Sequence, residues 1–489
     1  MTISSDLKQG VLITFISRYA GIFLQIFFTA ILARLLGPEE FGVVAVVAVF
    51  ITFFSLLSEM GLGVGIVQEK NLTGEDISSF FILTVIIAVF FGLGFYIFSY
   101  GIAAFYKNSV YINIGKLLSI TVFFSTLATV PSSILRKNKE FLKIGLLQIA
   151  VLVLSGAIGI FLALKNFSYY ALVVQSIINS VLLFIGFFIY SKIRPKLLFS
   201  ISSIRKIFRY SFYQFLFNSI NYFSRNLDNI LIGKFLGPSA LGYYDKAYKL
   251  MLFPVQNLTG VISSVLHPVM AEYQDKNSVI YDNYLKILKI LLLIGVPISI
   301  FSFFSAKEVI LILFGDNWMQ AIPVFRILAL SIWLQMLLST TGSIFQVAGR
   351  TDFLFLSGSM SNILLVSGMI LGMRHGITGV AIGIVSAFYV MFLPVFWILI
   401  RIVLKQSIKE FCKLFVKPFS IGVPIIVMLC IEDVFLMSYI NNVVISLCLK
   451  ICSTIIIYSL GLKIAGESDM WRFLKLGTWG IPVPKLSIR

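Results

Sequence analysis

Charge is scarce in this chain. Of its 489 residues only 12% are Asp, Glu, Lys or Arg, against 59% hydrophobic, roughly half the charged fraction of a typical soluble protein. Such a surface cannot be kept wet, which excludes an ordinary soluble enzyme. Acids are the scarcer sign, 21 against 39 Lys and Arg, for a net charge of +18. Histidine is nearly absent: His267 and His375 stand too far apart to suggest a metal cluster. The four cysteines, Cys412, Cys430, Cys448 and Cys452, lie in the last fifth of the chain with no Cys-x-x-Cys spacing. Neither a disulfide framework nor a zinc site is indicated, and packing within helices is what they are expected to do. There is no Walker A sequence and no glycine-rich phosphate loop in a strand-to-helix context, which argues against ATP hydrolysis. No Ser-His-Asp set or paired carboxylates stand out in the short loops, so a membrane-embedded transferase or polymerase has little to work with. The chain is expected not to be an enzyme, and to hold no cofactor and no metal.

Long apolar runs are what the chain has in plenty. They are about 20 residues each, the length needed to cross ~30 Å of hydrocarbon, and they lack the ~10-residue dyad alternation of an outer-membrane barrel. The reading is an all-α, polytopic membrane protein of about fourteen spans, from a first near 11–33 to a last near 440–462. The first carries Arg18 in its middle with no clear small-x-small cleavage site after it, and is expected to be a retained helix. Lys and Arg crowd alternate connections, among them Arg136, Lys137, Lys139 and Lys143, then Lys192, Arg194 and Lys196, then Arg401, Lys405, Lys409, Lys413 and Lys417. By the positive-inside rule both termini are cytoplasmic, most of the +18 is a topology signal, and nucleic acid is not an expected partner.

The chain also repeats itself. Ala33-Arg34-Leu35-Leu36-Gly37-Pro38-Glu39-Glu40-Phe41-Gly42 returns 200 residues later as Gly233-Lys234-Phe235-Leu236-Gly237-Pro238-Ser239-Ala240-Leu241-Gly242. Each copy reads as a helix end, a glycine for the turn, and a proline opening the next helix. A weaker match pairs Phe141 and Ser155-Gly156 with Phe353 and Ser367-Gly368. Copies in two six-span blocks imply parallel, pseudo-symmetric lobes: residues 1–200 as one lobe, 201–405 as the other, and 406–489 as two additional helices with a cytoplasmic tail.

Polar residues inside the spans are costly in lipid and face a bundle interior or a water-filled cavity. In the seventh span, near 209–232, Gln214, Asn218, Asn221, Arg225 and Asp228 form one stripe at helical spacing. The equivalent positions of the first span are Thr14, Arg18, Gly21, Gln25 and Phe28. The alternative is that these residues only hydrogen-bond between packed helices. The eighth span adds Asp245, Lys246 and Lys249, with Asp245 and Lys249 spaced for a local ion pair, and Gln256 deeper. Glu59 and Arg326 stand near span ends, Arg326 placed to snorkel. The ionisable set is Arg18, Arg225, Lys246, Lys249 and Arg326 against Glu59, Asp228 and Asp245, a net +2. That balance favours an anionic, hydrophilic cargo, and arginine forks suit phosphate oxygens.

The stretch Asp228-Asn229-Ile230-Leu231-Ile232-Gly233-Lys234-Phe235-Leu236-Gly237-Pro238, followed by Leu241-Gly242-Tyr243-Tyr244, Pro254 and His267-Pro268, resembles the polysaccharide transporter branch of the multidrug/oligosaccharidyl-lipid/polysaccharide exporter superfamily. It looks close to the O-antigen, colanic acid and teichuronic acid flippases of bacteria, over roughly residues 5–460. The resemblance implies two lobes that alternate access in the bacterial cytoplasmic membrane, moving undecaprenyl-pyrophosphate-linked oligosaccharide from the cytoplasmic to the outer leaflet. It implies a monomer working beside polysaccharide polymerase and glycosyltransferases, with the transported unit and membrane lipid as its contacts. In this reading Arg18, Arg225 and Lys249 hold the pyrophosphate, and Gln25, Asn218 and Asn221 contact sugar hydroxyls. Asp228, Glu59 or Asp245 carries a coupling proton or sodium ion, because a carboxylate beside cations changes affinity with its protonation state. A lipid II flippase and a multidrug or cation antiporter of the same superfamily remain the alternatives.

Overall fold

The computed structural model describes residues 3–59, 62–69, 72–195, 222, 226–271, 273–274, 276–436, 440 and 442–467. Among the described residues there is no strand, and every regular element is a helix. Ten helical stretches among the described residues, Thr351–Val403 counted once, are long and apolar enough to cross a membrane, eleven if Ala321–Ala329 and Ile332–Val347, bent by 56° at their junction, count as one span. The expected seventh span lies almost wholly outside the described residues.

Two compact units are present, Met1–Asp245 with Leu313–Asn317, and Lys246–Ile312 with Trp318–Arg489. The first holds α1 (Ile3–Leu35), α2 (Pro38–Glu59), α3 (Leu62–Gln68), α4 (Gly74–Tyr106), α5 (Val110–Leu127), α6 (Thr129–Lys137), α7 (Phe141–Leu164), α8 (Tyr170–Ser191), α9 at residues 226–235, and the start of α10 (Pro238–Ala271). Helix α4 starts where Thr73 and Asp76 cap each other: Asp76 N–H donates to Thr73 Oγ1 at 3.2 Å and Thr73 N–H to the Asp76 carboxylate at 3.0 Å. This capping box satisfies two backbone donors that an α-helix leaves open at its first turn. Leu62, Ile66, Phe80, Phe81, Val130 and Ile134 bury a common core with Phe184 and Phe188 against it. Helix α9 is docked within this unit, Tyr106 donating its hydroxyl to the Ile230 carbonyl at 3.3 Å and Lys234 its ammonium to the Phe105 carbonyl.

The second unit holds the rest of α10, then α11 (Asn277–Phe304), α12 (Ala306–Phe314, in this unit to Ile312), α13 (Ala321–Ala329), α14 (Ile332–Val347), α15 (Thr351–Gly372), α16 (Gly376–Trp397), α17 (Ile408–Lys413), α18 (Val416–Ile431) and α19 (Val443–Ile464). The apolar stretch Thr351–Val403 runs for 53 residues, which as one rod would be about 80 Å long. It is folded back instead. A Cβ on Gly383 would stand 2.0 Å from the Gly368 carbonyl oxygen, and one on Gly372 2.2 Å from that of Gly379. Those pairs lie symmetrically about the turn at Met373–His375, so α15 and α16 are antiparallel helices in backbone contact. Such closeness is what small residues permit where lipid offers no hydrophobic drive to helix association.

Near the polar end of α19, Glu467 accepts from Lys289 and Lys417 at 2.7 Å each, while Lys417 also donates to the Ala465 carbonyl at 2.9 Å. The two C-terminal helices are thereby tied to α11, together with the apolar core Leu293, Ile421, Ile425, Leu429 and Leu462. The cysteines depart from expectation: all four are free and exposed on the outer faces of this region rather than packed. Cys430, Cys448 and Cys452 stand on the apolar helices α18 and α19, where a small apolar thiol suits a lipid-facing surface as well as a core.

The repeat copies meet each other inside the first unit. A Cβ on Gly42 would fall 1.7 Å from the Pro238 carbonyl oxygen, and one on Gly242 would fall 1.9 Å from that of Pro38. The crossing is reciprocal, as a local two-fold demands, and only glycine allows it. Gly42→Ala should therefore force the helix starts apart at a cost of about 1–3 kcal/mol, read as a lower thermal midpoint of the detergent-solubilised protein. Gly74→Ala, where a Cβ meets nothing within 4 Å, should leave the midpoint where it was. Equal behaviour of the two variants would count against the crossing.

Candidate functional site

Helix α1 presents Arg18, Gly21 and Gln25 at spacings of three and four, on one face. Arg18 and Gln25 are exposed, and a Cβ on Gly21 would meet nothing within 4 Å. One turn on, the face closes: Phe28 is 7% exposed, its ring against Gly156 of α7. The open part of this face carries a guanidinium and an amide within a membrane span. Arg18 is the second residue of the apolar span Ser17–Leu35, close enough to its end for the guanidinium to reach the membrane boundary, whereas polar groups deeper in a span by default face a bundle interior or a water-filled cavity. Of the other residues expected to line the cargo site, Asn218, Asn221 and Arg225, with Gln214, lie outside the described residues. Lys249 is exposed on α10, as is Gln256.

The candidate coupling acids are placed differently. Asp228 is only 2% exposed. Its carboxylate accepts from the Tyr244 hydroxyl and from the Asn229 backbone N–H, each at 2.8 Å. Tyr244 stands one residue before Asp245, 6% exposed, which is followed by Lys246 at 8%. The stripe position of Asp228, in the first turn of the described part of α9, is thus buried against Tyr244 of α10 in the first unit's interior. The side chain of Glu59, the last residue of α2, is outside the described residues. Arg326 is exposed and lies over the Phe303 ring, 5.8 Å from its centroid, a cation–π contact of the kind a snorkelling arginine makes.

A second ionisable cluster escaped the sequence reading. Lys450, inside α19, is 1% exposed and donates to Glu308 Oε1 at 2.8 Å, to Asp433 Oδ1 at 2.7 Å and to the Phe304 carbonyl at 2.9 Å. Ser446 donates to the same Glu308 oxygen at 2.8 Å. The signal was present: Ser446, Lys450, Thr454 and Tyr458 recur at every fourth position, a polar stripe on an otherwise apolar helix. Its partners come from the last residue of α11 (Phe304), the first turn of α12 (Glu308, more than a hundred residues away) and the segment just after α18 (Asp433), and no local pattern announces them.

With this geometry in hand, comparison with known proteins is informative. Residues 31–323, more than half of the chain, match the family described as polysaccharide biosynthesis protein. The chain belongs to that family. Among curated relatives, the teichuronic acid biosynthesis protein TuaB of Bacillus subtilis (strain 168) is 26% identical over 75% of this chain and 76% of its own length. The lipopolysaccharide biosynthesis protein WzxC of Escherichia coli (strain K12) is 24% identical over 81% of each. Among solved structures, a lipid II flippase MurJ in an inward closed conformation superposes with a TM-score of 0.73 at 17% identity, covering 96% of this chain and 99% of that one. An inward-facing multidrug resistance transporter of the MOP superfamily gives 0.58 at 17% identity, over 77% of this chain and 93% of that one. As a family member the chain is a multi-pass membrane transporter of the polysaccharide branch, with the fold those structures share.

The Glu467 triad yields a pH dependence. Burial alone would raise its carboxyl, but hydrogen bonds from Lys289 and Lys417 outweigh burial and hold it below the usual range. A depressed folded pKa contributes stability above the unfolded value of about 4.3, and that stability is lost as pH falls through the folded value. Glu467→Gln should lower the thermal midpoint at neutral pH and flatten the part of its fall on acidification that this group causes. A variant whose midpoint parallels the wild type at every pH would show the triad to be without weight.

Proposed function

We propose that this protein is a flippase that carries lipid-linked oligosaccharide, joined through pyrophosphate to a polyprenyl lipid, from the cytoplasmic to the outer leaflet of the bacterial cytoplasmic membrane. The observation that carries this reading is the unpacked, polar face of α1. A sugar diphosphate head faces a prohibitive transfer into hydrocarbon, whereas the polyprenyl tail does not. The protein needs to supply a wet, cation-bearing surface for the head while the tail stays in lipid, and Arg18 with Gln25 beside the open space at Gly21 is such a surface. A guanidinium binds phosphate oxygens through paired N–H donors, and the amide of Gln25 suits hydroxyls. Arg225, Asn218, Asn221 and Lys249 complete the head-binding set in this reading. The family match and the names of the curated relatives support a polysaccharide cargo.

Alternating access is driven here by a proton or sodium ion on Asp228, with Asp245 and Glu59 as the other candidate carboxylates. Asp228 suits this role because its two hydrogen-bond partners, Tyr244 and Asn229, hold it where a change of charge is felt by α9 and α10 together. The protein works as a monomer, both termini cytoplasmic, beside a polysaccharide polymerase and the glycosyltransferases that build the unit.

In a strain lacking its own copy, Arg18→Glu should abolish restoration of surface polysaccharide and leave lipid-linked oligosaccharide on the cytoplasmic side, while Arg18→Lys should retain part of the activity. Full restoration by Arg18→Glu at normal membrane abundance would remove Arg18 from the cargo path. Rescue of a strain depleted of its lipid II flippase, with no effect on surface polysaccharide, would redirect the cargo to the peptidoglycan precursor.

A further inference from the structure

The hairpin of α4 and α5 seats a cation on tyrosine rings beside an open apolar face. A Cβ on Gly115 of α5 would fall 2.5 Å from Ser99 Cβ of α4, so the two helices touch there through small residues, as helices in lipid do. That contact fixes what stands next to it. Lys116 has its ammonium 5.2 Å from the Tyr96 ring centroid and 4.8 Å from that of Tyr100, distances at which a ring attracts a cation. Among the described residues these two tyrosines are the groups that act on the ammonium, and no carboxylate pairs with it. Lys450, by contrast, is given two carboxylates and a carbonyl. Lys116 therefore keeps a charge to offer.

Its depth is set by helix length. Helix α4 has 33 residues and is about 50 Å long, against ~30 Å of hydrocarbon, so roughly 10 Å projects at each end. Tyr100 lies six residues before the end of α4 and Lys116 six after the start of α5, both about 9 Å from the turn that joins them. The cation is thus level with the membrane boundary. Below it, Val89, Leu93, Tyr96 and Tyr100 follow spacings of four, three and four along one face of α4, and all are exposed, as is Ile120 one turn beyond Lys116. From Val89 to Tyr100 the stripe runs about 17 Å, half the hydrocarbon thickness and so the depth of one leaflet. Asn113, a turn nearer the start of α5 than Lys116, is also exposed. We propose that this flank is a binding site for one anionic phospholipid, in the leaflet on the side of the α4–α5 turn. The phosphate sits on Lys116, with the hydroxyls of Tyr96 and Tyr100 and the amide of Asn113 as further donors, and an acyl chain lies along Leu93 and Val89. Charge selects the occupant: a zwitterionic headgroup would bring a second cation to Lys116. The site is separate from the face of α1 and stands whichever cargo that face carries.

The test is the lipid retained by the purified full-length protein, read by native mass spectrometry with phosphatidylglycerol and phosphatidylcholine added at equal concentration. Lys116→Gln should lower the preference for phosphatidylglycerol by about fivefold, the factor that one lysine is worth near an anionic surface. Lys116→Arg should keep the preference. Lys107→Gln, at an exposed lysine in the turn itself, should keep it too. If Lys116→Gln is not recovered, Tyr96→Leu with Tyr100→Leu leaves the charge but removes its seat and donors, and should lower the preference in the same direction. An unchanged preference in whichever of these is recovered would overturn the site. So would an equal loss in Lys116→Gln and Lys107→Gln, which would assign the lipid to diffuse surface charge.

Discussion

Hydrocarbon offers no partner to a polar group, and everything else in this protein follows from that. Each N–H, carbonyl and charge within the spans has to be met by the chain itself or by water held within it. The helices answer for the backbone. For the side chains the structure uses three answers. Lys450 is given three acceptors and lost to solvent altogether. Asp228 is buried with a tyrosine hydroxyl and a backbone N–H. Arg18 and Gln25 are left exposed beside a glycine with empty space above it. Only the third answer suits a passing cargo, because the first two are already spent on the protein's own groups.

The same absence of solvent shapes helix packing. Without a hydrophobic drive between helices in lipid, contact must come from close approach, and close approach needs glycine. At Gly368 with Gly383 this closes a hairpin of neighbouring helices, which is a local matter. At Gly42 with Gly242 it joins two helix starts 200 residues apart that carry the same Gly-Pro-x-x-x-Gly pattern. A duplicated sequence therefore makes contact with its own duplicate, and each copy supplies both the glycine and the carbonyl the other needs. Conserving one half of such a contact without the other gains nothing, so a self-complementary crossing ties the two copies together physically.

The fold was legible because membrane crossing is written in composition, as apolar runs of the right length. The close contact of the repeat copies was foreshadowed by the repeat itself. Helical spacing placed Arg18, Gly21 and Gln25 on one face correctly, since a face is a local property. What spacing could not tell was which way a face points. Asp228 continues the seventh-span stripe on paper, yet its side chain turns to Tyr244, a partner set by how α9 meets α10. Lys450 shows the opposite failure: its stripe was visible, but its meaning lay in Glu308 and Asp433, which reach it from other helices. The cysteines were misjudged because burial within the protein and burial in lipid draw on the same residue chemistry.

These placements change what the intramembrane charge can be used to argue. Summed over the spans, a net +2 favoured an anionic cargo, but a sum treats charges as though they shared one cavity. Asp228, Asp245 and Lys246 are buried and Arg326 rests on an aromatic ring, so these four speak to packing before they speak to cargo. The Lys450 cluster, absent from the sum, carries a surplus of the other sign and would bring the total down without altering the field at α1. Electrostatic attraction between charges falls with distance and is screened by water and salt, so cargo charge is decided by what lies on the open face. There the described ionisable group is Arg18, and the argument for an anionic head rests on its position, not on the total.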